Sequence, residues 1–160
     1  GASQIIVSED LATRRVAAHR VGATRVIDPL VEDAVEVVRT LTNGNGVDIS
    51  FDAAGVQPAL DAALNVLRPR GRLMVVAIWG ATAGIDINRS IMREANIGFS
   101  FCYEAQWQVP AILNLIATGA INPGELITDE IPLDAVVSRG FEELRVNRDA
   151  HIKILIDPSA

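Results

Sequence analysis

Apolar runs and helix-periodic segments alternate along the first half of the chain. The short β-branched and apolar runs, which predict strands, lie at residues 5–8, 24–27, 47–53 and 73–78. Between them, apolar residues recur with the spacing of amphipathic helices, within residues 11–21, 31–41 and 60–67. Strands joined by single helices in this way predict right-handed crossovers and a parallel sheet.

The second half of the chain is less regular. A short strand is expected over residues 85–87, and the run IGFSFCY, from Ile97 to Tyr103, predicts a clear strand. A helix with proline in its first turn and glycine at its end is predicted over residues 110–119. A strand is predicted over residues 126–131 and a final strand over residues 152–156. Between them, a helix over about residues 134–144 should bury Val137, Phe141 and Leu144.

Composition narrows the class of protein. The chain has 160 residues, of which 49% are hydrophobic and 21% are charged, so it suits one domain or one domain plus part of another. The net charge of −6, without a basic cluster, argues against nucleic acid as a partner. No apolar run reaches the roughly 18 residues that a membrane span needs, and the first apolar run is too short for a signal peptide.

Cysteine and histidine are too few for a metal centre within the chain. Cys102 is the only cysteine, which excludes an internal disulfide and a thiolate zinc cluster. His19 and His151 stand in different elements without a ligand-type spacing, and zinc needs three or four converging ligands. We therefore expect no metal ligands here, and a reducing cytoplasm as the location.

Glu9 is the first candidate functional residue. It directly follows the first predicted strand, and an acid at such a strand end binds the adenosine ribose in dinucleotide-binding folds. The glycine-rich turn of those folds should lie about 20 residues earlier, but only eight residues precede Glu9. The sequence is therefore expected to open in the middle of a nucleotide-binding fold. The alternative is a solvated acid at a strand end.

Several segments, in their shared order, carry a resemblance to a known family. They are QIIVSED, VGATRVIDP, GVDISFDAAG, LRPRGRLMVVAIWG, IGFSFCY and HIKILIDP, at residues 4–10, 21–29, 46–55, 67–80, 97–103 and 151–158. Together they resemble the medium-chain dehydrogenase/reductase family, in particular its zinc-dependent alcohol and polyol dehydrogenases and their butanediol dehydrogenase branch. The resemblance spans essentially the whole chain.

This resemblance implies an α/β fold with an incomplete Rossmann-type parallel sheet, followed by the C-terminal piece of the catalytic domain. Residues 1–103 would be a partial dinucleotide-binding domain and residues 104–160 the C-terminal segment of the catalytic domain. The first strand, its helix and the glycine-rich loop would be missing. Because that strand is central in the order 3-2-1-4-5-6, the strands at residues 5–8 and 48–51 should have open edges.

The resemblance also assigns charged residues to the cofactor. Glu9 would accept hydrogen bonds from the adenosine ribose and repel a 2′-phosphate, which favours NAD over NADP. Arg14 would lie beside the adenine ribose, and Lys153 would face the pyrophosphate. The alternative for Arg14 is an arginine at the surface, and the alternative for Lys153 is a lysine that faces solvent. Arg15, next to Arg14, is expected to face solvent.

Backbone segments would approach the nicotinamide end. Ala53 and Ala54, with Gly55, would lie near the nicotinamide ribose. The carboxamide would meet Val76, Ala77, Ile78, Ser100 and Phe101. The alternative for Val76, Ala77 and Ile78 is a buried core strand. For Ser100 and Phe101 the alternative is a strand that pairs across a subunit interface, and a homo-oligomer through Ile97–Tyr103 is predicted.

The function implied is that of an NAD-dependent, zinc-containing dehydrogenase, which oxidises secondary alcohols or diols by hydride transfer to nicotinamide. The zinc ligands would lie in the absent lobe, so the isolated chain is expected to be inactive and to bind NAD weakly or not at all. Two alternatives remain: a zinc-free, NADPH-dependent quinone or enone reductase of the same superfamily, and a non-catalytic dimerising module.

Overall fold

The computed structural model describes residues 1–159, in which short strands and helices alternate. Every strand pairing in this range is parallel, so the predicted α/β class with parallel sheets is confirmed. The strands are β1 (Ile6–Ser8), β2 (Arg25–Ile27), β3 (Val47–Asp52), β4 (Leu67–Val75), β5 (Asn96–Phe99), β6 (Ile127–Pro132) and β7 (Lys153–Asp157). The α-helices are α1 (Ala12–Arg20), α2 (Ala34–Leu41), α3 (Gln57–Asn65), α4 (Ile87–Met92), α5 (Gln108–Ala117) and α6 (Glu142–Val146).

The chain forms two compact units. One unit combines Gly1–Val31 with the C-terminal segment that begins at Glu104. It holds two sheets of two strands each, β1–β2 and β6–β7. Ala17 of α1 is buried, as are Val26 and Ile27 of β2, because the helix packs on this strand.

The second unit, Glu32–Tyr103, contains the sheet β3–β4–β5. Its core is made by α3 and β4, through the buried residues Leu60, Ala63, Leu67, Leu73 and Val75. A polar contact joins the same layers, because the buried Ser50 hydroxyl of β3 donates to the Ala63 carbonyl of α3 at 2.7 Å. Because β3 and β4 are parallel neighbours, their carboxyl ends lie at the same edge of the sheet.

Strands β1 and β3 each have an open edge, as the sequence predicts. Within residues 1–159, β1 pairs with β2 alone and β3 pairs with β4 alone. On β3, Ile49 and Phe51 leave 52% and 65% of their surface exposed, whereas the alternate residues Ser50 and Asp52 are buried. One face of β3 therefore packs on α3, and the other face exposes apolar side chains.

Some boundaries predicted between residues 31 and 87 are wrong. Helix α2 begins only at Ala34, after the Asp33 side chain caps its N-terminus, and Val31 is exposed. Leu67 belongs to β4 and pairs with Val47, because α3 ends at Asn65. The short strand expected at residues 85–87 is absent, because Asp86 caps α4 by accepting a hydrogen bond from the Arg89 N–H.

The strand predicted from Ile97 to Tyr103 is shorter than expected. Strand β5 ends at Phe99, and Cys102 has a φ of 55°, which extended backbone does not allow. Cys102 is also exposed.

The predicted burial of Val137, Phe141 and Leu144 is wrong, since all three are exposed. A π-helical segment, Val136–Phe141, replaces the α-helical spacing on which that prediction rested. The buried residue of this segment is Gly140, where an added Cβ would lie 3.3 Å from the Ile131 Cδ1 atom. The helix thus approaches β6 through a glycine.

No described helix is long and apolar enough to cross a membrane.

Candidate functional site

Glu9 stands at the carboxyl end of the parallel pair β1–β2. It follows β1 directly, and its N–H donates to the carbonyl oxygen of Ile27 at 3.1 Å. Its side chain turns back to the start of α1, where Oε1 accepts a hydrogen bond from the Leu11 N–H at 2.9 Å. This is the position in which parallel α/β folds place ligand-binding residues.

Arg14 shares a cavity with Glu9. The cavity has a volume of about 320 Å³, and apart from these two residues its lining is apolar: Val7, Ala17, Ala18, Val21, Leu126 and Ile152. The Nε atom of Arg14 is buried and has no hydrogen-bond partner among the described residues. A buried donor without an acceptor is unfavourable, so the Arg14 guanidinium, which lines the cavity, favours a ligand that brings hydrogen-bond acceptors.

Burial raises the pKa of the Glu9 carboxyl above its ordinary value, and the neighbouring Asp10 acts in the same direction. The hydrogen bond from Leu11 and the positive charge of Arg14 oppose this shift. The carboxyl is therefore harder to ionise than an exposed glutamate. An ionised carboxylate that accepts hydrogen bonds from ligand hydroxyls would be stabilised by them.

Arg15 does not face solvent freely, contrary to the expectation from sequence. Its side chain is 24% exposed, and its NH2 atom lies 2.9 Å from the Asp28 Oδ2 atom. Its NH1 atom donates to the carbonyl oxygens of Glu9, at 3.0 Å, and Asp10, at 2.7 Å. Arg15 thus joins the backbone after β1 to the acid after β2.

In the second unit, Asp52 connects the loops that follow β3 and β4. Its side chain is 1% exposed, and its Oδ1 atom accepts hydrogen bonds from the backbone N–H groups of Ala54 and Gly55, both at 3.1 Å. Its Oδ2 atom accepts a hydrogen bond from the Trp79 indole N–H at 3.0 Å. One buried carboxylate therefore orders both loops.

The backbone of the same residue reinforces this connection. The Asp52 carbonyl oxygen accepts hydrogen bonds from the N–H groups of Val76, at 2.9 Å, and Ala77, at 3.1 Å. Gly55 has a φ of 68°, and a Cβ added there would lie 3.0 Å from the Ile78 carbonyl oxygen. The two loops are so close that Gly55 leaves no room for a side chain between them.

Most of the nicotinamide-end candidates lie in or beside these loops. Ala53 and Ala54 are in the β3 loop, and Val76, Ala77 and Ile78 are in the β4 loop. At the end of β5, Ser100 donates from its N–H to the Val75 carbonyl at 3.0 Å, which brings it beside the β4 loop. Phe101 lies further out, with 80% of its surface exposed.

Lys153 belongs to the unit that contains Glu9. It is the first residue of β7, its side chain is exposed, and it pairs with Ile127 of β6. The preceding residue, Ile152, lines the cavity of Glu9 and Arg14, whereas Lys153 is not among the residues around that cavity.

The sequence did not predict the roles of Arg15 in the first unit or of Asp52 and Trp79 in the second. The run FDAAG carried a signal for Asp52, because an acid followed by small residues at a strand end is typical of a turn in which the side chain accepts backbone N–H groups. The contact with Trp79, which lies 27 positions away, has no local signal in the sequence.

The described residues do not fit a zinc ion. Within residues 1–159, no three histidine, cysteine, aspartate or glutamate side chains converge as a metal site requires. The arrangement fits a ligand with hydroxyl groups at Glu9 and hydrogen-bond acceptors at Arg14.

The chain is similar to one known protein family and to characterised dehydrogenases. The family model described as "Zinc-binding dehydrogenase" matches residues 1–118. The (R,R)-butanediol dehydrogenase of Neisseria gonorrhoeae is 32% identical over 98% of this chain and 44% of its own length. The L-threonine 3-dehydrogenase of Pyrococcus abyssi is 29% identical over 98% of this chain and 45% of its own length.

A solved structure shares the fold of the chain. The X-ray crystal structure of 2R,3R-butanediol dehydrogenase from Bacillus subtilis superposes with a TM-score of 0.89 at 30% sequence identity. The superposition covers 99% of this chain and 45% of the butanediol dehydrogenase. The chain therefore spans a little under half the length of these relatives.

Proposed function

Because the chain belongs to the zinc-binding dehydrogenase family, we propose that it forms the cofactor-binding part of an NAD-dependent dehydrogenase of secondary alcohols or diols. The single observation that carries this proposal is Glu9 at the carboxyl end of a parallel strand, in one cavity with Arg14. The bound nicotinamide supplies the acceptor for hydride from the alcohol carbon.

Glu9 is proposed to bind the adenosine ribose. Its carboxylate accepts hydrogen bonds from the two ribose hydroxyls, and its negative charge repels a 2′-phosphate. Arg14 lies beside the same sugar and donates to it from its guanidinium, whose Nε atom has no partner among the described residues. This charge pattern supports NAD as the cofactor.

The loops around Asp52 are proposed to form the floor under the nicotinamide. Ala53 and Ala54 offer small side chains beside the nicotinamide ribose. The backbone of Val76, Ala77, Ile78, Ser100 and Phe101 would border the carboxamide. Asp52 supports this role, because it fixes the relative position of the β3 and β4 loops.

Lys153 is proposed to face the pyrophosphate, as a cation on the strand that follows the cavity residue Ile152. In domain terms, residues 1–103 would belong to the dinucleotide-binding domain and residues 104–160 to the catalytic domain. A homo-oligomer through Ile97–Tyr103 remains part of the proposal, supported by the exposed side chains of Phe99, Phe101 and Tyr103.

The proposed substrates are secondary alcohols and vicinal diols, supported by the butanediol dehydrogenase among the similar proteins. Zinc belongs to the proposed complete enzyme, and residues 1–159 contribute no ligand set for it. The proposed location is the cytoplasm, where a reducing environment suits a chain whose single cysteine is exposed.

The test uses the complete polypeptide encoded by the gene. Its turnover of NAD and NADP is followed by the formation of reduced cofactor, with secondary alcohols and vicinal diols as substrates. In Glu9→Gln, loss of a hydrogen bond to a charged group should raise the KM for NAD about tenfold to a hundredfold, and that for NADP far less. The control Glu130→Gln changes an exposed acid of β6 and should leave both KM values unchanged.

Several outcomes would overturn the proposal. A preference of the unchanged protein for NADP, together with enone or quinone reduction, would favour the zinc-free reductase. A stable dimer without affinity for either nucleotide would favour the dimerising module. An unchanged KM for NAD in Glu9→Gln would remove the observation on which the cofactor assignment depends.

A further inference from the structure

Arg15 holds the backbone of Glu9 from a position outside the cavity. Residues adjacent in a helix point about 100° apart, so Arg14 lines the cavity while Arg15 reaches around the end of β1. There its NH1 atom donates to the carbonyl oxygens of Glu9 and Asp10, and its NH2 atom pairs with Asp28. One guanidinium thus contacts three acceptors at the carboxyl ends of two neighbouring strands.

The same backbone is held from its other side. The Glu9 N–H donates to Ile27, the last residue of β2, and Asp28 follows directly. Asp28 is itself fixed, because its Oδ1 atom accepts a hydrogen bond from the Leu30 N–H at 3.0 Å. The N–H of Glu9 therefore binds the end of β2 directly, and its carbonyl group is linked to Asp28 through Arg15.

We infer that Arg15 is a positioning residue, which sets where the Glu9 carboxylate meets the sugar of the nucleotide. The inference rests on the proposed function, since it gives this contact a purpose in nucleotide binding. Arg15 itself does not line the cavity, and it acts through Glu9.

The shape of the arginine side chain matters for this role. The guanidinium presents several N–H donors in a rigid plane, so it can satisfy acceptors in different directions at once. A lysine retains the charge that faces Asp28, but its single ammonium lacks this fixed geometry. The position of Glu9 should therefore depend on the guanidinium as well as on positive charge.

The experiment compares Arg15→Gln, Arg15→Lys and Asp28→Asn in the complete encoded polypeptide. Arg20→Gln is the matched control, because Arg20 is an exposed arginine at the end of the same helix. Two quantities are measured: hydrogen exchange of the Glu9 and Leu11 amides without nucleotide, and the dissociation constants for NAD and NADP. The thermal midpoint of each variant reports on overall folding.

In Arg15→Gln, the Glu9 and Leu11 amides should exchange about tenfold faster than in the control, because a local ordering contact has been lost. Affinity for NAD should fall about twofold to fivefold, as for a partly exposed charged contact, while affinity for NADP changes less. Arg15→Lys should recover part of the loss, and Asp28→Asn should show a smaller change of the same kind.

The change in the ratio of NAD to NADP affinity separates positioning from general destabilisation. A merely structural role would weaken both nucleotides equally, and that result would overturn the inference, as would amide exchange equal to that of Arg20→Gln. If the unchanged protein binds neither nucleotide, the proposed function fails and the nucleotide role of Arg15 fails with it. Normal NAD binding with an unaltered ratio in Arg15→Gln refutes the inference alone.

Discussion

Glu9 must be ionised to accept hydrogen bonds from a ribose, but burial raises the pKa of its carboxyl. For stability, the native state keeps the proton to a higher pH than the unfolded state. The protonated group therefore contributes stability that is present at low pH and is lost as pH rises through the raised pKa. For binding the direction is opposite, because affinity for NAD grows as the carboxylate forms.

This residue gives a prediction for pH dependence. Affinity of the complete protein for NAD should fall as the pH is lowered and the carboxyl takes up its proton, and the raised pKa should make this fall begin at a higher pH than for an exposed glutamate. The Glu9→Gln variant should show a flatter profile. His19 and His151 are present in both proteins, so the difference between the profiles isolates Glu9. Calorimetric titration at a series of pH values measures it, and two parallel profiles would contradict the prediction.

Asp52 gives a prediction for stability. Asp52→Ala should lower the free energy of unfolding by roughly 2–4 kcal/mol, because the N–H groups of Ala54, Gly55 and Trp79 lose the buried carboxylate that accepts their hydrogen bonds. Asp48→Ala is the matched control on the same strand: its side chain is 81% exposed and its ion pair with Arg68 is at the surface, so the effect should stay below about 1 kcal/mol. Urea unfolding measures both, and equal effects would refute the structural role of Asp52.

For single residues, the sequence predicted the position in the fold better than the side-chain contacts. The place of Glu9 after the first strand follows from linear order, because strand ends of parallel sheets share an edge. The contacts of Asp52 and Arg15 were not predictable in the same way. Their partners are an indole 27 positions away and backbone carbonyls, and neither kind of partner leaves a periodic trace in the sequence.

The turn between α2 and β3 shows how an element depends on one glycine. Gly46 has a φ of 88°, and an added Cβ would lie 2.5 Å from the Val66 carbonyl oxygen. That oxygen accepts the hydrogen bond from the Val47 N–H, at the start of β3. A side chain at Gly46 would therefore push the two strands apart where their pairing begins.

Gly46→Ala should thus lower the free energy of unfolding by about 3 kcal/mol or more, from backbone strain and the clash together. Gly44→Ala is the control in the same turn: its φ is 82°, but nothing lies within 4 Å of an added Cβ. It should cost only about 1–2 kcal/mol. Chemical unfolding of both variants measures the difference, and similar losses would show that the close approach to Val66 has little effect.

The regular elements were predictable from periodicity, and the irregular ones were not. The helix-to-strand change at Leu67 was missed because Pro69 and Gly71 indicate the end of a helix. In the structure these residues lie inside β4, around Arg70 with a φ of 62°. The pairing with β3 shifts its register there, between Val47 and Ile49. Such a bulge depends on the neighbouring strand, which local patterns do not describe.

At the scale of the whole molecule, the sheet that carries Glu9 is small. Strands β1 and β2 have three residues each and form a two-stranded sheet. A sheet of only two strands is marginally stable in water. Within residues 1–159, β1 has a strand partner on one side alone. Glu9 is therefore attached to an element with little stability of its own.

This limits the affinity expected of the 160-residue chain by itself. Ordering the end of β1 around a nucleotide costs free energy that a larger, preorganised sheet would not require. We therefore predict that isothermal titration of the chain alone with NAD gives no binding in the micromolar range, and that alcohols produce no reduced cofactor. The complete encoded polypeptide, titrated under the same conditions, is the control that must bind. Micromolar affinity of the chain alone would show that β1, β2 and α1 suffice to hold Glu9 in place.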